Sequence, residues 1–162
     1  MRLSLAILLL VSLLFSSCSG DAIFSSNTSF SDGWGQQDTV KINLPELDST
    51  AAYNLFLNVR NSNDYPFNNL FLIVGMEFPQ GKTVTDTIEY RMANPDGTWM
   101  GTGIGSIKES KLWYKEGVRF TEAGTYKLSI VHAVRNNGAV QGVERLAGIT
   151  DVGVSVELPK TD

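Results

Sequence analysis

The sequence has 162 residues and a mass of 17.7 kDa, 43% apolar and 19% charged, with a mean hydropathy near zero. That balance fits one soluble globular domain and excludes a polytopic membrane protein, a collagen-like chain and a wholly disordered one. Thirteen Lys and Arg against seventeen Asp and Glu give a net charge of −4 and a pI near 5.0, which argues against a nucleic-acid partner. With one cysteine and one histidine, no intramolecular disulfide and no clustered Cys/His metal site can form. Neither a metal nor a cofactor is expected, and thiol chemistry rests on Cys18 alone.

The first 17 residues read as a removable signal rather than as fold. Met1-Arg2 is a positive start, and Leu3 to Phe15 is an apolar run broken only by Ser4 and Ser12, too short to span a bilayer as a helix. The run closes in Leu14-Phe15-Ser16-Ser17-Cys18, which resembles a bacterial lipobox with Phe15 where leucine is usual. Small side chains at Ser16 and Ser17 let a signal peptidase seat the backbone, and the Cys18 thiol is the nucleophile that takes the lipid, here expected to carry palmitate-type chains. Each buried acyl CH₂ contributes about 0.8 kcal/mol, so several chains make a lasting anchor. Cleavage leaves 145 of the 162 residues, with twelve Lys and Arg against seventeen acids and hence a net charge of −5.

Residues 18–33 are rich in Ser, Asn, Thr, Gly and Asp and read as the lipidated N-terminus and a flexible tether, roughly 20 Å long as a coil. From residue 34 to 158 apolar residues alternate again and again between Gly, Pro, Asn and Asp, which predicts short strands. Val40, Ile42 and Leu44 form the first, stopped by Pro45. Tyr53, Leu55, Leu57 and Val59 oppose Asn54, Asn58 and Arg60. Leu70 to Phe78 is apolar on both parities and is expected to lie centrally, covered on both faces. Val84, Ile88, Tyr90 and Met92 oppose Thr85, Thr87, Glu89 and Arg91, and Asn94-Pro95-Asp96-Gly97 fits a type I turn. Leu112 and Tyr114, then Val118 and Phe120, predict a hairpin around Glu116-Gly117. Tyr126 to Val134 and Val152 to Leu158 are further strands, with an irregular crossover or short helix allowed over 139–147 and a tail at 159–162. Seven or so strands at this spacing predict an all-β antiparallel sandwich, immunoglobulin-like or jelly-roll-like, with a partly closed barrel as the alternative.

Most candidate chemistry fails on spacing. Gly101-Thr102-Gly103-Ile104-Gly105 lacks the GxGxxG pattern and opens no helix, so it reads as a loop needing positive φ or close packing. His132 shares the parity of Leu128 and Ile130 and reads as a packed, hydrogen-bonded core residue. Asp64, Asp86, Asp96 and Asp151 are placed at or near turns, where capping accounts for them. No catalytic residue is assigned. What survives is a surface: Trp113 points away from Leu112 and Tyr114 and is expected to share its face with Glu109, Lys111 and Lys115, while Trp99 follows a turn. Exposed aromatics among charges suit protein or sugar contacts, and the alternative for both is covering the end of a small core.

Five stretches carry a resemblance: Asn61-Ser62-Asn63-Asp64-Tyr65-Pro66-Phe67-Asn68-Asn69-Leu70-Phe71-Leu72-Ile73, Asp86-Thr87-Ile88-Glu89-Tyr90, Pro95-Asp96-Gly97-Thr98-Trp99, Lys111-Leu112-Trp113-Tyr114-Lys115 and Gly148-Ile149-Thr150-Asp151-Val152-Gly153. Together with the lipobox they resemble the gliding motility lipoprotein GldH family of Bacteroidota, from about Trp34 to Glu157. The resemblance implies an outer-membrane lipoprotein of the gliding and type IX secretion-associated envelope machinery, attached through Cys18, with no catalytic residues to transfer. Ser19 after Cys18 is not the Asp that usually retains a lipoprotein in the inner membrane. The expected partners are membrane lipid and other envelope proteins, with a glycan as the alternative ligand.

Overall fold

The computed structural model describes residues 22–160. Cys18 and the signal segment lie outside the described residues. Among the described residues there are ten strands: β1 (Ala22–Ser29), β2 (Trp34–Gly35), β3 (Val40–Asn43), β4 (Tyr53–Asn61), β5 (Asn69–Glu77), β6 (Thr83–Arg91), β7 (Lys108–Val118), β8 (Lys127–His132), β9 (Arg145–Leu146) and β10 (Ile149–Glu157). They form two four-stranded sheets, β1-β10-β4-β7 and β3-β8-β5-β6, with the short β2-β9 pair beside them. Every pairing is antiparallel. The sheets face each other without closing into a barrel, so the fold is an all-β sandwich.

Alternation puts one parity of each strand into the space between the sheets. From the first sheet come Leu55, Leu57, Val59, Val152, Val154 and Val156; from the second come Val40, Leu70, Leu72, Val74, Leu128 and Ile130, all at most 1% exposed. Burying a side chain of this kind contributes about 1.5–3 kcal/mol. Trp34 closes one end, stacked on Phe30 and donating its indole N–H to the Asp38 carbonyl at 2.7 Å. His132 lies against the Trp34 ring at 5.2 Å, buried as expected, but neither ring nitrogen has a hydrogen-bond partner.

Besides the hydrogen bonds expected of His132, four expectations are corrected. Residues 22–29, read as tether, are an edge strand paired along β10. An edge strand with one face in water needs backbone pairing and little apolar content, so its Ser and Asn composition looks like loop. The expected hairpin at Glu116-Gly117 is instead the end of one continuous strand, β7, which stays paired with β4 from Lys108↔Asn61 to Tyr53↔Val118 by taking up register shifts. Gly117, at φ 64°, lies where the register slips, and Phe120 beyond it packs on Tyr53 and Tyr126. β5 is central in its sheet, but it is covered on one face only: Phe71 and Ile73 on the other remain half-buried. Asp86 is not at a turn. It sits mid-strand in β6 and bonds both Lys115 and Tyr114 of the facing sheet.

Three other local expectations stand. Gly97 N–H donates to the Asn94 carbonyl at 2.9 Å with φ 85°, and Asp96 accepts from the Thr98 amide and hydroxyl, closing the turn. Gly103 and Gly105 adopt positive φ, as the loop reading requires. Residues 139–147 are irregular apart from β9.

Candidate functional site: an aromatic patch on the outer sheet face

The outer face of the β1-β10-β4-β7 sheet carries the candidate site. Cross-strand register sets its rows: Ser25, Ser155, Phe56 and Trp113 lie side by side, and Asn27, Gly153, Asn58 and Lys111 form the neighbouring row. Residues directly opposite point to the same face of a sheet. β4 therefore contributes Asn54, Phe56 and Asn58 outward while its Leu55 and Leu57 point into the core. Phe56 is the one large apolar residue on that polar parity, and it is 5% exposed because Trp113 covers it.

The Trp113 and Phe56 rings lie 4.4 Å apart, tilted by 53°, with Trp113 itself 55% exposed. Lys111 Nζ stands 4.2 Å from the Phe56 ring centre and 2.5 Å from Glu157 Oε1. The Glu157 side chain is only 9% exposed, so the ion pair is half sunk into the face. Asn54 Oδ1 accepts from the Gly117 amide at 3.1 Å, and Ser155 Oγ donates to Asn58 Oδ1 at 3.3 Å. Asn54, Phe56, Lys111, Trp113 and Glu157, together with the segment Leu158 to Lys160 and Glu116, line a shallow depression of about 430 Å³. The aromatic ring is thus held by stacking, the cation by the Phe56 ring and the Glu157 carboxylate, Asn54 by the Gly117 amide and Asn58 by the Ser155 hydroxyl. Such a surface offers stacking and hydrogen bonding at low entropic cost.

Of the four sequence-predicted residues, the structure brings Trp113 and Lys111 together and separates the other two. A register shift in β7 pairs Leu55 with Lys115 and Phe56 with Trp113, leaving Tyr114 as the extra residue. Beyond such a bulge the parity of the strand inverts. Lys115 therefore leaves the Trp113 face and reaches Asp86 of β6 at 2.8 Å, where Tyr114 Oη also donates at 2.9 Å. Lys115 first, with Tyr114 helping, holds the Asp86 carboxyl below its ordinary value against a partial burial that raises it. Burial, reinforced by the Asp86 charge, pushes the Tyr90 hydroxyl up to about 12 and Tyr114 higher still.

Trp99 lies at the other end of the molecule, bridged to Ala93 just past β6. It is partly buried beside Tyr65 and donates its indole N–H to Asn63 Oδ1 at 3.0 Å. It covers one end of the core and shares no platform with Trp113. Phe56, Glu157 and Asn54 are members that sequence reasoning missed. The odd parity of Phe56 between Asn54 and Asn58 was the available signal.

Comparison with known proteins agrees with this picture of one folded unit. The family model described as GldH lipoprotein matches residues 22–156, which include β1. The chain is 54% identical over 151 residues to the gliding motility lipoprotein GldH of Flavobacterium johnsoniae, covering 93% of this chain and 94% of that one. It is 49% identical over 154 residues to the gliding motility lipoprotein GldH homolog of Christiangramia forsetii, covering 95% and 94%. No solved structure matches. A family match spanning the whole described sandwich, joined to relatives half identical from end to end, makes this chain a member of the GldH lipoprotein family.

Proposed function

We propose that this protein is a non-enzymatic component of the gliding motility machinery, held at the outer membrane by lipid on Cys18, that docks another envelope protein through the Trp113 patch. The single observation that carries the docking role is a tryptophan left 55% exposed yet fixed over Phe56 on a sheet face that no other layer of the described residues covers. Large rigid aromatics of this kind are the residues on which binding energy concentrates. The lipobox and the names of the relatives support the anchor and the machinery. Anchoring makes a weak contact sufficient, because a tethered domain meets a tethered partner at high effective concentration.

Affinity capture with crosslinking from cells tests this reading. Trp113→Ala is expected to lose an envelope protein that the parent chain captures, with a loss of affinity on the order of tenfold or more, typical of a truncated anchor residue. Identical capture by both chains would defeat it. A second reading has its own support: Asn54, Asn58 and Glu157 around a stacking ring are the groups that hold a sugar. Calorimetric titration with envelope polysaccharide separates the two, since a glycan site shows saturable heat that Trp113→Ala abolishes.

A further inference from the structure

The seven large apolar side chains exposed among the described residues fall at opposite ends of the sandwich. Ile23, at 50%, and Leu158, at 52%, lie where β1 begins and β10 stops, the Ala22↔Glu157 end of that strand pair. Met100, Ile104 and Ile107 belong to the loop that leads into β7 at its Lys108↔Asn61 end, and Val140 lies in the crossover before β9 and β10. Trp113, the seventh, faces outward near the first end, in the row of Ser155, two residues before Glu157. At about 3.4 Å per residue the nine residues of β10 set the two ends roughly 27 Å apart. Exposure alone does not choose between these ends, but covalent geometry does.

Cys18 precedes Ala22 by four residues, which even fully extended span at most about 14 Å. The expected tether of 15 residues would have let the domain turn freely above the membrane. With β1 starting at Ala22, at most about 14 Å of chain keeps this end of the sandwich, and not the other, near the membrane. We infer that the end of the sandwich formed by the start of β1 and the stop of β10 rests on the lipid bilayer, with Ile23 and Leu158 seated in the headgroup layer. This inference rests on the lipidation of Cys18 proposed above.

The chemistry of that end selects the kind of contact. Glu46 and Asp48, in the loop between β3 and β4, and Glu116 near the stop of β7 are exposed at the same end, but so are Lys82, Arg119, Lys127 and Lys160. With acidic and basic side chains both exposed there, charge of one sign does not select this end. The contact is therefore apolar, made by the two aliphatic side chains and imposed by the anchor, and it does not require acidic lipid. Side chains seated in this way sit about 5–10 Å into the boundary between headgroups and acyl chains. The Trp113 patch then stands just above the headgroups, and the Ile104 loop points away from the membrane.

Site-directed spin labelling of the full lipidated chain tests this in phosphatidylcholine vesicles. Acylation consumes the Cys18 thiol, so Leu158→Cys, Ile23→Cys and Ile104→Cys each provide one labelling site. Labels at 158 and 23 are expected to lose most of their collisions with a water-soluble nickel chelate and to gain collisions with oxygen, equally at low and high salt, while a label at 104 keeps full nickel access. Equal nickel access at 158 and 104 on protein that floats with vesicles would overturn the inference and leave the anchor intact. Protein that fails to float would overturn both. Protection at 158 that is released by high salt, or that arises only in native envelope membranes, would mean an ionic contact or a protein occupant and would overturn the apolar seat.

Discussion

The Trp113 patch combines a ring whose removal should leave folding alone and an ion pair whose disruption should not. Trp113→Ala is expected to change unfolding free energy by about 1 kcal/mol or less, because the ring is half in water and only its contact with Phe56 is lost. Lys111→Ala strands the Glu157 carboxylate in a site 9% exposed and should cost about 1–3 kcal/mol. Adding Glu157→Gln should recover part of that loss, and denaturant unfolding of the double-mutant cycle reads the coupling directly. His132 presents a different residue-scale case. Burial lowers its pKa below 6.5, only partly opposed by the Trp34 backbone, which lies near the ring but outside hydrogen-bonding geometry, and by the Asp38 charge. The unfolded chain then binds the proton more readily than the folded one, so stability is fully present above pH 6.5 and declines as pH falls below it. His132→Leu removes both the unpartnered nitrogens and this acid-side loss. The variant should gain on the parent as pH drops through that range, measured by thermal unfolding across pH. The parity of the histidine was legible in sequence, whereas its missing hydrogen bonds were not, since they depend on which groups the Trp34 segment brings beside it.

Among the elements, the strands written as apolar alternation were legible: β3, β4, β6, β8 and β10 fall where Val, Ile, Leu and Tyr recur at every second residue, interrupted by Asp86 in β6 and by His132 at the end of β8. β1 and β7 were not, for different reasons. β1 earns its place through backbone bonds to β10, which leave no side-chain signature. It is pinned where Gly153 faces Asn27, because a Cβ at Gly153 would collide with the Ser26 carbonyl and with Asn27. Gly153→Ala should therefore loosen β1 selectively, with hydrogen exchange quickening over residues 22–29 and a stability loss of about 1–3 kcal/mol. In β7 a single bulge transfers Lys115 from the patch to the open edge between the sheets, where it pairs with Asp86. Because the folded-state pKa of Asp86 is depressed below 3.8, the pair stabilises the sandwich above that value and stops doing so as pH falls through the lower, folded one. Asp86→Asn should cost about 1 kcal/mol or less at neutral pH, the pair being a third exposed, and the gap to the parent should vanish in acid.

For the molecule as a whole, anchor and sandwich are separable in their energetics and joined in their geometry. Cys18→Ser should leave the melting temperature unchanged, abolish incorporation of labelled palmitate and move the protein from the membrane to the soluble fraction. Sequence by itself determined the all-β class, the lipobox and the polar and apolar parities of most strands, because each is written in local order: a run, a spacing, an alternation. It also exposed Trp113. Only tertiary structure decided that Phe56, Lys111 and Glu157 surround that ring, that Lys115 does not, and that β1 begins four residues after Cys18. Those outcomes depend on register between strands up to a hundred residues apart, and register is fixed by the collective fit of two sheet faces and their bulges rather than by any segment alone.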